Sequence, residues 1–173
     1  INGRDQAGAF GASSWVHFYW IWNGTTLAGI ASATAPPTGP TLPTGYTHWC
    51  YAAAVYYNAT PVLQRVYVRG AWVFYQTIKN AITGGAATSE TAISLTTTVP
   101  PNAEMIGALL TLIDGDAGDS LTLRVVSGPA TVSAGTDSYI KFIYSTGASN
   151  IIETSWIEFP NVSQQVLYLL SGM

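Results

Sequence analysis

The stretch "SWVHFYWIW", residues 14–22, decides how the chain folds. Eight of its nine residues are aromatic, aliphatic or histidine. Aromatic and β-branched side chains favour a pleated surface over a helix. Successive side chains of a strand point to opposite faces. Trp15, His17, Tyr19 and Ile21 then face one way, and Val16, Phe18, Trp20 and Trp22 face the other. Both faces are apolar, so both need cover.

The pattern continues outward from this segment. Runs rich in Val, Ile, Thr, Tyr, Phe and Trp predict strands near 14–22, 26–32, 47–57, 62–69, 71–78, 91–98, 105–113, 120–126, 130–134, 138–145, 151–158 and 163–170. Helix signals are almost absent. Short strands at this spacing predict an all-β fold, an antiparallel β-sandwich of jelly-roll-like type. Asn23-Gly24 predicts a type I′ hairpin turn, with Arg69-Gly70 and Ser127-Gly128 as weaker turn signals. "TAPPTGPTLPTGY" (34–46) holds four prolines and two glycines and predicts an extended surface loop. "TGGAATSE" (83–90) and "TVPPNAE" (98–104) predict further loops. Strand density is equal on both sides of them, which favours one domain over 1–173, with an internal seam near residue 85 as the alternative. The closing "QQVLYLLSGM" reads as a buried final strand, so truncation from Val166 is expected to destabilise the domain if that strand is central.

Only 9% of the 173 residues are charged, against a usual quarter, while 48% are hydrophobic. Such a chain either exposes a neutral surface or hides much of its surface in an assembly, because interface cores are rich in aromatics and poor in charge. The net charge is −3, without a basic cluster, which argues against a nucleic-acid partner. No apolar run approaches the length of a membrane span. "MIGALLTLI" (105–113) is too short and reads as a strand. A single cysteine, Cys50, rules out an internal disulfide framework. The opening on Ile1 suggests a segment of a longer polypeptide.

Catalytic motifs are missing. There is no G-x-S-x-G elbow. His48 and Cys50 lie two apart, on one face of a strand, and could form a Cys–His pair. A buried thiol behind a structural histidine is the plainer reading. "DGDAGD" (114–119) clusters Asp114, Asp116 and Asp119, which are weak calcium candidates and more simply read as a solvated turn. Glu153 and Glu158 fall on opposite faces of their strand, so they do not form a glycosidase pair. The chain is therefore expected not to be an enzyme, with no catalytic residue, metal or cofactor. Sequons occur at Asn23, Asn58 and Asn161.

What remains is the aromatics. Trp49, Tyr51, Tyr56, Tyr57, Tyr67, Trp72, Phe74 and Tyr75 crowd the middle third. By simple alternation Trp49, Tyr51, Ala53, Val55 and Tyr57 share one face, and Trp72, Phe74 and Gln76 share another. Such side chains fill cores, anchor interfaces or stack on sugars. Trp20, Trp22, Trp49, Tyr57 and Trp72 are the interface or ligand candidates.

"NGRDQAGAFGASSWVHFYWIWNGTT", followed by P-x-L-P-x-GYTHW-type spacing and "RVYVRGAWVFYQ", resembles a family of domains in bacteriophage virion proteins, chiefly tail fibres, tail spikes and receptor-binding proteins. The matching residues are Gly3, Asp5, Gly8, Trp15, His17, Tyr19, Pro43, Gly45, Tyr46, Thr47 and Gln76. Gln6 and Ala7 widen the lead-in relative to the family pattern. The resemblance covers residues 1–113 best. It implies a virion location, a homo-oligomer, often a trimer, contacts with other virion proteins and contact with a host-surface glycan. It also makes the lead-in look like the end of a preceding domain or stalk. A capsid decoration or head-fibre protein, a carbohydrate-binding module and a secreted adhesin are the alternatives. On this reading the face with Trp20 and Trp22 is covered by a neighbouring subunit or by the proline-rich loop rather than by an opposing sheet. His17 is expected to hydrogen-bond a backbone or hydroxyl group inside the fold.

Overall fold

The computed structural model describes residues 3–114, 120–127, 140–145 and 151–171, with side chains described over 3–111 and 154–168. These residues form antiparallel sheets and no helix, so the all-β expectation holds. The chain divides into two compact units, Ile1–Lys79 and Asn80–Met173.

The first unit is built on β1 (Ser14–Trp22), β2 (Leu27–Ser32) and β3 (His48–Tyr57), in the order β2-β1-β3. The aromatic segment that opens the sequence is thus the central strand. Gly3–Asp5 runs beside β2, where Asp5 N–H donates to the Ala31 carbonyl (2.9 Å) and Ala31 N–H donates to the Gly3 carbonyl (2.8 Å). The lead-in is therefore stitched to the sheet edge. The β1–β2 connection is not the expected I′ turn. Gly24 has φ +97°, but Asn23 is not among the positive-φ residues, and Trp22 pairs with Leu27. The Asn23 side chain closes this four-residue loop by accepting from the Thr25 and Thr26 N–H groups (3.0 and 2.7 Å).

β4 (Val66–Arg69) and β5 (Trp72–Tyr75) form a separate hairpin in this unit. Gly70, the first of its two loop residues, has φ +59°. Positive φ at that first position alone fits the II′ turn pattern.

The β1–β3 register carries one irregularity. Phe18 pairs with Ala53 but Tyr19 pairs with Tyr51, so Ala52 is an extra, unpaired residue. This bulge corrects the alternation read from the sequence. Trp49 and Tyr51 share the face of Tyr19 and Ile21, whereas Ala53, Val55 and Tyr57 share the opposite one.

The second unit holds β6 (Thr91–Ser94), β7 (Met105–Asp114), β8 (Ser120–Ser127), β9 (Ile140–Ser145), β10 (Ile151–Pro160) and β11 (Gln165–Ser171). They form a β10-β7 pair and a four-stranded sheet ordered β6-β11-β8-β9. One core draws on both sheets: Ile106 and the Ile157–Phe159 stripe from one, Val166 with Ile93 and Tyr168 from the other. Shared burial of this kind is consistent with the expected sandwich. The final strand β11 lies between β6 and β8, so it is central, with Val166 and Leu167 buried. The strand expected over 91–98 stops at Ser94. Leu95 starts a turn in which its carbonyl accepts from Thr98 N–H and Val99 N–H (2.9 and 2.8 Å), ahead of Pro100 and Pro101. The strand expected at 130–134 lies outside the described residues.

Candidate functional site

The two faces of β1 have different fates. Tyr19, Ile21 and Ile30 form a buried cluster, and Leu42 and Tyr46 of the proline-rich segment pack on it. That segment is therefore not a free surface loop, and Gly39 and Pro40 within it are buried. The Tyr19 hydroxyl donates to the Thr34 carbonyl at 2.6 Å. Tyr19 is also edge-on to Trp49 and Tyr51, with ring centroids 5.2 and 5.4 Å away. Burial, then the neighbouring Tyr51 and Asp5, push its phenol up to about 12. The Asp5 carboxylate accepts from Thr41 N–H at 3.1 Å and ties the lead-in to the same segment. His17 is buried on this face, its Nδ1 lies 3.4 Å from the Tyr51 hydroxyl, and burial lowers its pKa. The hydroxyl partner expected for His17 is thus found.

These contacts give three residues a structural role. Asp5, Tyr19 and Tyr46 hold the lead-in, strand and loop together. Trp15 packs edge-on against Tyr56 (5.2 Å).

The opposite face opens along its length. Val16 and Val55 are buried at one end, but Trp20 is 53% exposed, Trp22 38% and Leu27 61%. Their cross-strand partners complete the patch. Trp20 lies opposite Gly29 and Cys50, and Trp22 opposite Leu27 and His48. The proline-rich loop covers the other face, so of the two covers expected for Trp20 and Trp22, a neighbouring subunit or this loop, the loop is ruled out. No Asp, Glu, Lys or Arg lies in these rows.

His48 and Cys50 both sit on this open face and are exposed. The buried-thiol reading is thereby overturned. They do not bond each other: His48 Nδ1 lies 2.8 Å from Thr47 Oγ1, and Cys50 Sγ contacts the Tyr51 carbonyl at 3.6 Å.

The other candidates are dispersed. The Trp49 ring lies on Gly39, so it clasps loop to sheet. Tyr57, half-buried, ends β3 opposite Ser14 and bridges Leu63. Trp72 belongs to the β4–β5 hairpin, where it stacks with Phe74 at 6.2 Å and 27° between planes. Asp116 and Asp119 lie outside the described residues, as does the side chain of Asp114. Among the described residues no three His, Cys, Asp or Glu side chains cluster as a metal site would require. No described helix is long and apolar enough to cross a membrane.

The sequons have a local explanation that sequence spacing did not suggest. Asn23 and Asn58 each accept from the hydroxyl of the Thr two residues on (3.1 and 2.9 Å) and from its N–H (both 3.0 Å). Asn161 caps the turn before β11, accepting from Gln164 N–H at 3.1 Å and donating to the Ala103 carbonyl at 2.9 Å. All three are turn-forming side chains.

Comparison of the chain with protein-family models, with curated proteins and with solved structures finds no match.

Proposed function

We propose that this chain is a non-enzymatic structural module of a bacteriophage virion, of the tail-fibre or spike type, and that it assembles as a homo-oligomer through the Trp20–Trp22 face. One observation carries the assembly: two tryptophans and Leu27 stand exposed together on a sheet face whose rows hold no charged side chain. Full burial of a large apolar side chain is worth on the order of 1.5–3 kcal/mol. Trp20, about half exposed, has much of that still to gain. A charge-free, aromatic patch has the composition of an interface core. Further copies of the same chain supply the cover, because around a closed three-fold axis every copy can turn the same apolar patch toward the shared centre. The virion assignment rests on the resemblance of residues 1–113, above all the Trp15–Tyr19 strand and the Pro43–Thr47 loop end.

Native mass by light scattering tests the assembly. A trimer is the expected result, and Trp20→Ser with Trp22→Ser is expected to yield a monomer with unchanged circular dichroism. A wild-type monomer at micromolar concentration overturns the assembly. Peptides of this chain in purified phage particles test the virion location, and their absence there overturns it.

A further inference from the structure

The β4–β5 hairpin presents a second surface, different in chemistry from the Trp20–Trp22 face. Tyr67 pairs with Phe74, and Arg69 pairs with Trp72, so these four side chains share one side of the hairpin. Gln76 N–H donates to the Arg65 carbonyl at 3.0 Å, which extends the pairing by one step and adds Arg65 and Gln76 to the same side. Every one of the six is exposed, Tyr67 at 61%, Phe74 at 41% and Trp72 at 36%. The result is a strip of three aromatic rings with a guanidinium near each end, the two arginines about 13 Å apart at roughly 3.3 Å per strand residue.

The electrostatics of the strip are one-sided. Between Asp5 and Glu90 the sequence contains no Asp or Glu at all, yet it contains Arg65, Arg69 and Lys79. The first unit therefore carries four cations against one carboxylate, +3, in a chain whose net charge is −3. Asp5 already receives the Thr41 N–H, and Lys79 lies 5.8 Å over the Tyr75 ring.

We propose that this strip binds an acidic polysaccharide, a chain of sugars whose rings carry carboxylates. Trp72 and Phe74 stack on each other and remain partly exposed, so the pair offers apolar ring surface to the C–H face of a sugar ring. Arginine meets a carboxylate through two parallel N–H···O bonds, which a lysine does not reproduce. Gln76 adds amide donors and an acceptor for hydroxyls. A nucleic acid fits less well. It presents a phosphate at every step and needs a continuous basic track, whereas this strip has two separated guanidiniums in a chain of pI about 5.1.

The test is calorimetric titration of the intact chain with three probes: oligogalacturonate, oligosialate and neutral dextran fragments. Saturable binding of at least one acidic probe, at least tenfold tighter than dextran, is expected, and the probe that binds distinguishes uronate from sialate. Arg69→Gln and Trp72→Ala are each expected to weaken it tenfold or more. Arg69→Lys is expected to recover only part, and native mass is expected to stay at the wild-type value in every variant. That last readout separates failure here from failure of the assembly proposal. No binding to either acidic probe, binding indifferent to Arg69 and Trp72, or tighter binding of oligo-dT than of both acidic sugars overturns the proposal.

Discussion

The indole of Trp49 rests directly on Gly39: a methyl group added to Gly39 would lie 2.5 Å from ring carbons Cε2 and Cζ2. Gly39 also has φ +76°, a conformation that L side chains adopt at a cost. Through this contact the proline-rich segment is clasped over the Tyr19 cluster, and the second face of the sheet is left open.

Gly39→Ala is accordingly expected to destabilise the chain for two separable reasons. The backbone alone costs about 1–2 kcal/mol for a residue held in the left-handed region, and displacement of the Trp49 ring adds to it. In a Trp49→Ala background only the backbone part remains. Urea denaturation of the four proteins checks this. An equal loss in both backgrounds would show that the ring contact contributes nothing.

Acid should weaken the fold through His17. Burial holds its imidazole below the ordinary value of 6.5 in the folded chain. The unfolded chain therefore takes up that proton first as pH falls. The His17 contribution is fully present above about pH 6.5 and is lost as pH drops from there toward the folded-state pKa. One proton gives a slope of at most about 1.4 kcal/mol per pH unit. His17→Gln is expected to flatten the urea midpoint between pH 6.5 and 5, and an unchanged slope would remove His17 as the cause.

Gly107 and Trp156 form a matching pair on the outer side of β7 and β10. The Trp156 ring lies where a Gly107 side chain would be, and its Nε1–H donates to Glu158 Oε1 at 3.1 Å. Gly107→Ala should destabilise the natural chain, because the ring must move. In a Trp156→Ala background the sign should reverse, with a gain of about 0.5–1 kcal/mol, since glycine in a strand is otherwise unfavourable. A double-mutant cycle measures the coupling directly, and a Gly107→Ala effect of the same sign in both backgrounds would contradict it.

Local chemistry made much of this legible in advance. The β-rich runs placed β1, β3, β7 and β10 within a residue or two, because aromatic and β-branched alternation is a property of the segment itself. Arg69-Gly70 marked the β4–β5 turn for the same reason. The two-sided greasiness of β1 was plain from parity alone, and so was the need for cover.

Which cover goes on which side was decided only by the tertiary structure. Ala52 is one of three consecutive alanines, and nothing in the sequence marks it as the residue that drops out of register. Its bulge sends Trp49 and Tyr51 to the loop-covered side and Tyr57 to the other. The prolines of 34–46 forbid a central strand, yet they say nothing of where the loop lands; Leu42 and Tyr46 packing on Tyr19 answered that. The exposed Arg–aromatic strip of the hairpin also needed the register of β4 against β5, because cross-strand neighbours are set by pairing and not by distance along the chain. Sequence parity divided the side chains of β1 into two faces, and long-range pairing left the one bearing Trp20 and Trp22 open on the single chain.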